Sequence, residues 1–248
     1  MSGHNKWASI KHKKAAADSK RGKIFTKLTK EISAAAKSGG GDAKMNPRLR
    51  TAIDSAKSEN MPAENIERAI KKGTGEIEGV TYEEVAYEGY GTEGVAILVN
   101  CLTDNKNRTA SEIRSLFTKN SGSMAGAGSV AWIFEKKGFI AVAKSIVTED
   151  KLMEIVISAG AEDFVTGDEK YEITANPHDF EAVKAAIEAA KIPMETSHMT
   201  MIPKNLVAVS PEGARANIRL IEAMEDHDDV QNVYANCDIP DEVLKELA

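Results

Sequence analysis

The sequence predicts a multidomain α+β protein, in which an N-terminal three-helix bundle is followed by two ferredoxin-like α+β domains and the third domain is inserted into the second. Three observations support this prediction. The chain has 248 residues, a length that suits two or three compact units. Apolar residues recur with helical spacing up to about residue 76, and after it short apolar runs alternate with helical segments. Finally, the predicted elements between residues 137 and 203 follow the order βαββαβ, which is one complete ferredoxin-like unit.

Three amphipathic helices are predicted to form the bundle. The first covers residues 18–37. Its inward stripe consists of Ile24, Phe25, Leu28, Ile32 and Ala35. The second begins at Asn46-Pro47, because Asn is a favourable cap and Pro is favoured at the first helical position. The third follows Pro62 and is expected to stop at Gly73.

The remaining elements are assigned to the two α+β domains. Outside the complete unit, strands are predicted at 82–90, 95–102, 130–134, 206–209 and 230–235, and helices at 107–119 and 211–225. A second βαββαβ order results when strand 95–102, helix 107–119 and strand 130–134 are joined with strand 206–209, helix 211–225 and strand 230–235. We therefore expect a bundle over 1–76, a discontinuous α+β domain over 77–136 plus 204–248, and an inserted α+β domain over 137–203. Two consecutive α+β domains without an insertion are the alternative.

Charge is distributed unevenly along the chain. Residues 1–74 contain 17 Lys and Arg against 7 Asp and Glu, a balance of +10, whereas residues 75–248 contain 15 against 31, a balance of −16. This pattern indicates a basic module on an acidic body. The basic module would attract phosphate, and the acidic body would limit non-specific association.

The strongest candidate for function is the basic segment Ser2–Lys30, in which eight Lys and one Arg face a single acid, Asp18. Acids are too few for helical i,i+4 pairing to explain the lysines. Two planar rings that can stack on bases, Trp7 and His12, lie among the cations. Lys is better suited to contact with phosphate than to recognition of base edges. A solvated helix face is the alternative for such a lysine run. The candidate nucleic-acid-binding residues are His4, Lys6, Trp7, Lys11, His12, Lys13, Lys14, Lys20, Arg21, Lys23, Lys27 and Lys30.

Two further segments allow two interpretations each. Asn105, Lys106, Asn107 and Arg108 precede the middle helix, where they form either a polar helix entry or a second phosphate-contact patch at a helix N-terminus. The glycine-rich segment 121–128 lacks the Gly-Lys-Ser/Thr of a phosphate-binding loop. It is expected to be a mobile loop, with a contact loop near RNA or a partner as the alternative.

Several classes of function find no support in the sequence. Gly89–Gly94 matches the dinucleotide-binding pattern G-x-G-x-x-G, but a strand follows where a helix is needed, so a hairpin turn is predicted. The five histidines have no metal-ligand spacing, and no catalytic set is evident, so no metal, cofactor or enzymatic activity is expected. Cys101 and Cys237 are expected to be free thiols in a reducing cytoplasm, or buried small hydrophobes. Neither a membrane span nor a secretory signal is predicted.

Long stretches of the chain resemble the YebC family, also described as the family of translational activators of cytochrome c oxidase. The resemblance is carried by SGHNKWASIKHKKAAADSKRGKIFTKLTKEI at 2–32, NPRLRTAIDSAKSENMPAENIERAIKKGTGE at 46–76, YEGYGTEGVAILVNCLTDNKNRT at 87–109 and GSVAWIF at 128–134. Within the basic segment, the positions that match the family are Gly3, His4, Lys6, Trp7, Ile10, Lys11, Lys14, Asp18, Lys23, Phe25 and Lys27. The sequence departs from the family at Asn5, where Ser is usual, at Thr92-Glu93 and at 124–127.

The resemblance implies a three-domain cytoplasmic protein that is not an enzyme. Family members are described either as probable DNA-binding transcriptional regulators or as ribosome-associated translation factors that help synthesis through consecutive prolines. Because duplex readers usually place Arg, Asn or Gln at base edges, the Lys-rich first helix favours ribosomal RNA over promoter DNA. The expected function is therefore a translation factor associated with the ribosome and its RNA. A DNA-binding transcriptional regulator and a protein-interaction scaffold are the alternatives.

Overall fold

The computed structural model describes the backbone of residues 18–247 and the side chains of residues 22–246. Within this part of the chain there are two compact units. One is the continuous segment Trp132–Leu206, and the other combines the segments before and after it. Three separate apolar cores lie in the described chain, two in the discontinuous unit and one in the continuous unit. The division into three domains with the bounds given above stays a prediction.

The elements follow one another in a mixed order of helices and strands. In chain order they are α1 (Asp18–Gly39), α2 (Pro47–Ser58), α3 (Ala63–Thr74), β1 (Glu83–Tyr90), β2 (Ala96–Thr103), α4 (Lys106–Lys119), β3 (Ser123–Ala125), β4 (Phe134–Ala143), α5 (Glu149–Ser158), β5 (Ala161–Thr166), β6 (Lys170–Ala175), α6 (Phe180–Ala189), β7 (Thr196–Pro203), β8 (Val207–Ala208), α7 (Pro211–Glu225), β9 (Val230–Ala235), β10 (Cys237–Asp238) and α8 (Asp241–Leu247). The α+β fold class is confirmed.

Helices α1 to α3 form the bundle, and its local signals are of the predicted kind. The Asn46 side chain caps α2 by accepting a hydrogen bond from the Leu49 amide at 3.1 Å, and it donates to the carbonyl of Ala35 at 2.8 Å. The predicted stop at Gly73 is wrong. Helix α3 continues to Thr74 and ends on Gly75, whose φ of 82° is left-handed. Gly73 instead permits close packing, because a Cβ there would lie 2.3 Å from the carbonyl oxygen of Ser33 on α1.

The continuous unit has the ferredoxin-like arrangement. Its sheet order is β5-β6-β4-β7, and each neighbouring pair is antiparallel. Its apolar core includes side chains from both helices and from the sheet: Ile140, Val142, Leu152, Val156, Ile173, Val183 and Ile187. The prediction for residues 137–203 therefore matches the observed order of elements, although β4 begins three residues earlier, at Phe134.

The second sheet has the same spatial arrangement of strands as the first, but its strands occur in a different order along the chain. Its order is β3-β1-β2-β9, drawn from both sides of the 132–206 segment. Counting β2 as the first strand and β3 as the second, β1 occupies the place of the third strand and β9 that of the fourth. The hairpin between β1 and β2, with Tyr90 opposite Ala96, places β1 there and confirms the turn predicted at Gly89–Gly94.

Three sequence predictions for this domain are consequently wrong. Residues 131–133 form a short 3-10 turn rather than part of a strand of this sheet. Residues 207–208 pair with β10 in a separate two-stranded sheet, because β1 already fills the third-strand place. The segment 121–128 is not simply a loop, since Ser123–Ala125 pairs with β1. Cys101 and Cys237 are buried in the core of this domain, and burial raises the pKa of each thiol to about 12.

Candidate nucleic-acid interface

The predicted binding residues fall into two groups in the structure. His4, Lys6, Trp7, Lys11, His12, Lys13 and Lys14 lie outside the described residues. Lys20 and Arg21 lie in the first turns of α1, where only the backbone is described. Their role in nucleic-acid binding stays a prediction. The side chains of Lys23, Lys27 and Lys30 are described.

Lys23, Lys27 and Lys30 form a row along α1 that contacts the end of α7 and the residues after it. The Lys23 ammonium lies 2.6 Å from the Asp226 carboxylate and donates to the Asp226 carbonyl at 3.2 Å. Lys27 donates to the carbonyl oxygen of Glu225 at 2.6 Å. The last carbonyls of a helix lack intrahelical partners and carry partial negative charge, so the end of α7 is a favourable site for ammonium groups.

Lys30 is held more deeply than the other two lysines. Its ammonium lies 2.5 Å from the Asp229 carboxylate, and the side chains are only 9% and 5% exposed. It also lies 5.6 Å from the centroid of the Tyr82 ring, in cation–π geometry. The alternative of a solvated helix face therefore does not hold for Lys30. The acidic run that ends at Asp229 is also partly buried.

Asp229 is the centre of a buried network. Besides Lys30, its carboxylate accepts hydrogen bonds from the Arg108 guanidinium at 3.0 Å and from the Thr109 hydroxyl at 2.7 Å. Burial alone would raise the pKa of Asp229, but the hydrogen bonds from Lys30, Thr109 and Arg108 together outweigh it and hold the pKa well below its usual range. The network joins α1 of the bundle to α4 and to the segment before β9.

Side chains of the second predicted patch, at the start of α4, form contacts within the protein. Asn105 caps α4 by accepting a hydrogen bond from the Arg108 amide at 3.1 Å. Lys106 pairs with Glu83 at 2.5 Å, and Arg108 binds Asp104 as well as Asp229. Asn107 lies in the first turn of α4 and is exposed. These contacts agree with the polar helix-entry interpretation. A phosphate contact at this patch stays a prediction.

Glu112, His227 and Asp229 bring ligand-type atoms within 4.8 Å of one another, but their contacts are those of an ion-pair network. The Nε2 atom of His227 lies 2.9 Å from Glu112, and its Nδ1 accepts the Asp229 amide at 3.1 Å. The Asp229 carboxylate already faces Lys30 and Arg108, and two fixed cations beside it oppose binding of a metal ion.

A second ion-pair cluster that sequence reasoning missed also ties the bundle to the middle domain. Arg48 on α2 forms two hydrogen bonds with Glu31 on α1, at 2.7 and 3.1 Å, and pairs with Glu84 on β1. Neither this cluster nor the Asp229 network has a local signal, since the paired residues lie 17 to 199 positions apart.

The outer surface of the bundle carries exposed cations. Six exposed side chains form no ion pair with any acid in the described part of the chain: Lys37, Lys44, Arg50, Lys57, Lys71 and Lys72. Two of them, Lys37 and Lys72, line a groove of about 570 Å³ beside the 75–82 linker. Over the described residues, none of the helices has the length and apolar character that crossing a membrane requires.

Comparisons with known proteins cover almost the whole chain. The N-terminal domain model of TACO1/YebC proteins matches residues 5–76, and the model of the TACO1/YebC second and third domains matches residues 82–237. A protein of Desulfatibacillum aliphaticivorans named "Probable transcriptional regulatory protein" is 58% identical over 99% of this chain and 100% of its own length. A similarly named protein of Geobacter sulfurreducens is 56% identical, with 100% of both chains covered.

The fold has a close experimental counterpart. The crystal structure of a conserved hypothetical protein from Aquifex aeolicus superposes with a TM-score of 0.84 at 49% identity, covering 94% of this chain and 97% of that one. The family models and the full-length relatives confirm the resemblance found in the sequence, and the chain belongs to the TACO1/YebC family.

Proposed function

We propose that this protein is a non-enzymatic, nucleic-acid-binding regulator of gene expression that acts in translation, bound to ribosomal RNA through its basic N-terminal module. In this proposal it helps synthesis through difficult, proline-rich stretches. The observation that carries the proposal is the surplus of positive charge on the bundle. Its six exposed cations form no ion pair in the described chain, and residues 1–21 add six more Lys and Arg against one acid.

The packing of α1 favours backbone contact over base reading. The apolar face of α1 packs in the bundle core, and its lysine row lies against the end of α7. A recognition helix must offer a free face to the major groove of a duplex. Over residues 22–39, whose side chains are described, helix α1 offers no such face as long as the lysine row is engaged. The cationic arm and the outer bundle surface are therefore better suited to phosphates of folded RNA.

A DNA-binding transcriptional regulator is the second candidate, favoured by the names of the relatives. Crosslinking and sequencing of nucleic acid bound in cells separates the two. Ribosomal RNA reads support the translation role, whereas discrete promoter reads would overturn it in favour of transcription. Absence of any bound nucleic acid would leave the scaffold alternative. Ribosome profiling of a deletion strain, with pauses expected at consecutive prolines, tests the finer role.

Replacing Lys11, Lys13, Lys14 and Lys20 by Ala is expected to weaken RNA binding and its salt dependence. Each phosphate contact on a single strand contributes about 0.7 to the slope of log K against log salt, so the slope should become shallower by about 3. Fluorescence anisotropy with a labelled RNA oligonucleotide at several salt concentrations measures this. The matched control removes four exposed lysines elsewhere: Lys119, Lys136, Lys151 and Lys245. Equal losses in both variants would show that only total charge matters and not the arm.

A further inference from the structure

We propose that the acidic segment Glu225–Asp228 is an intramolecular mimic of nucleic-acid phosphates, which occupies Lys23 and Lys27 of α1 until an RNA backbone displaces it. The contact is thus autoinhibitory, and the two lysines are a latent extension of the basic arm. This inference rests on the proposed function, since it concerns the regulation of the same RNA-binding module.

One carboxylate oxygen and two carbonyl oxygens surround these lysines at the distances at which lysines bind phosphate oxygens. The Lys23 ammonium has the Asp226 carboxylate at 2.6 Å and the Asp226 carbonyl at 3.2 Å, and Lys27 has the Glu225 carbonyl at 2.6 Å. All three oxygens lie at the negative end of α7. Anionic oxygens at such distances are the ligands that lysines also find on RNA.

Exposure divides the lysine row into a fixed and an exchangeable part. The side chains of Lys30 and Asp229 are almost fully buried, so this pair holds the bundle in place. At the other end, the side chains of Lys23 and Asp226 are 43% and 71% exposed. Exposed pairs contribute little net stability and exchange partners readily. Displacement can therefore begin at Lys23 without disturbing the buried pair.

Position along α1 connects the exchangeable lysines to the arm. Lys23 and Lys27 follow Lys20 at intervals of three and four residues, so the three share one side of the helix. An RNA strand bound to the arm would approach Lys23 first. Four acids in five residues, Glu225 to Asp229, oppose its phosphates there, and their repulsion makes release of the segment necessary for further binding.

The test removes charge from the mimic but leaves the buried pair unchanged. In the release variant, Asp226→Asn and Asp228→Asn neutralise two exposed acids. A control variant, Asp54→Asn with Glu59→Gln, neutralises two exposed acids of the bundle, so that it changes the net charge equally. The dissociation constant for a fluorescein-labelled single-stranded RNA of mixed sequence is measured by anisotropy over a range of salt. Circular dichroism confirms that both variants fold.

The release variant is expected to bind the RNA about two- to fivefold more tightly than the control, as loss of an exposed ion pair allows. Its salt slope should be steeper by about 0.7, because the Lys23–Asp226 pair is broken and Lys23 gains one phosphate contact. Adding Lys23→Ala and Lys27→Ala should abolish the gain. Equal affinity of release and control variants would overturn the inference, and if the arm variant still loses affinity, the proposed function would stand. No RNA binding by the wild type or the release variant would overturn both.

Discussion

Replacing Asp229 by Asn is expected to lower the free energy of unfolding by about 3–5 kcal/mol, the usual cost of removing one partner of a buried ion pair. The variant leaves the Lys30 ammonium buried without its carboxylate, and the Arg108 guanidinium and the Thr109 hydroxyl lose an anionic acceptor. Asn has nearly the same shape, so the loss reports charge and hydrogen bonding rather than packing. Urea unfolding followed by circular dichroism measures it.

The matched control is Asp226→Asn, which breaks an exposed pair in the same segment. Its cost should stay within about 1 kcal/mol, because solvent screens the pair. A loss of similar size in both variants would mean that the segment acts through its total charge. The buried network would then not be the link between the bundle and the middle domain.

The contribution of Asp229 to the free energy of unfolding should also fall as the pH is lowered. Its pKa in the folded protein lies below the ordinary value of 3.8, because the hydrogen bonds that it accepts outweigh the effect of burial. The carboxylate therefore stabilises the fold fully above about pH 4, and this contribution is lost as the pH falls from there towards the folded-state pKa. Unfolding curves of the wild type and Asp229→Asn should differ most near neutral pH and converge in acid. A difference that grows with acidity would contradict the assignment.

Local signals in the sequence predict the helices, strands and turns well, but they do not predict which of these elements pack or pair with one another. The Asn46 cap and the Gly89–Gly94 hairpin were correct because their geometry depends on a few adjacent residues. The inserted ferredoxin-like unit was correct because its strands follow one another in the order in which the unit needs them. The position of β1 in the other sheet is not predicted. β1 comes before the other strands of that sheet in the chain, and no local pattern shows that it pairs between β2 and β3.

The candidate site shows the same limit. Helical spacing puts Lys23, Lys27 and Lys30 on one side of α1, but it does not show which of them is buried. A lysine ammonium can donate hydrogen bonds to water, phosphate or carboxylate oxygens alike. The partner of Lys30, Asp229, lies 199 residues away in the sequence, so no local pattern indicates it. Tertiary packing alone makes Lys30 a buried structural cation and leaves Lys23 exposed. A charge pattern can thus predict a cationic face, but its partner depends on the fold.

The end of the glycine-rich segment after α4 is bound by Glu88, a residue that sequence reasoning did not single out. The Glu88 carboxylate on β1 accepts hydrogen bonds from the amides of Gly128 at 2.7 Å, Val130 at 2.6 Å and Ala131 at 2.8 Å. Glu88 is only 6% exposed. Burial would raise the pKa of Glu88, but these backbone donors together outweigh burial and lower it. The carboxylate therefore serves as a fixed anionic acceptor for consecutive backbone amides.

Glu88→Gln is expected to cost about 3 kcal/mol, because a charged acceptor of several hydrogen bonds is lost and at least one buried amide is left unsatisfied. The Gln amide group donates, so one of its two ends faces donors it cannot accept from. Urea unfolding measures the cost, and hydrogen exchange should show faster exchange of the Gly128, Val130 and Ala131 amides. The control is Glu83→Gln on the same strand, whose pair with Lys106 is exposed and screened by solvent, so that its loss should change stability far less. Unchanged exchange at 128–131 in Glu88→Gln would show that β3 pairing and packing, rather than the carboxylate, hold this segment in place.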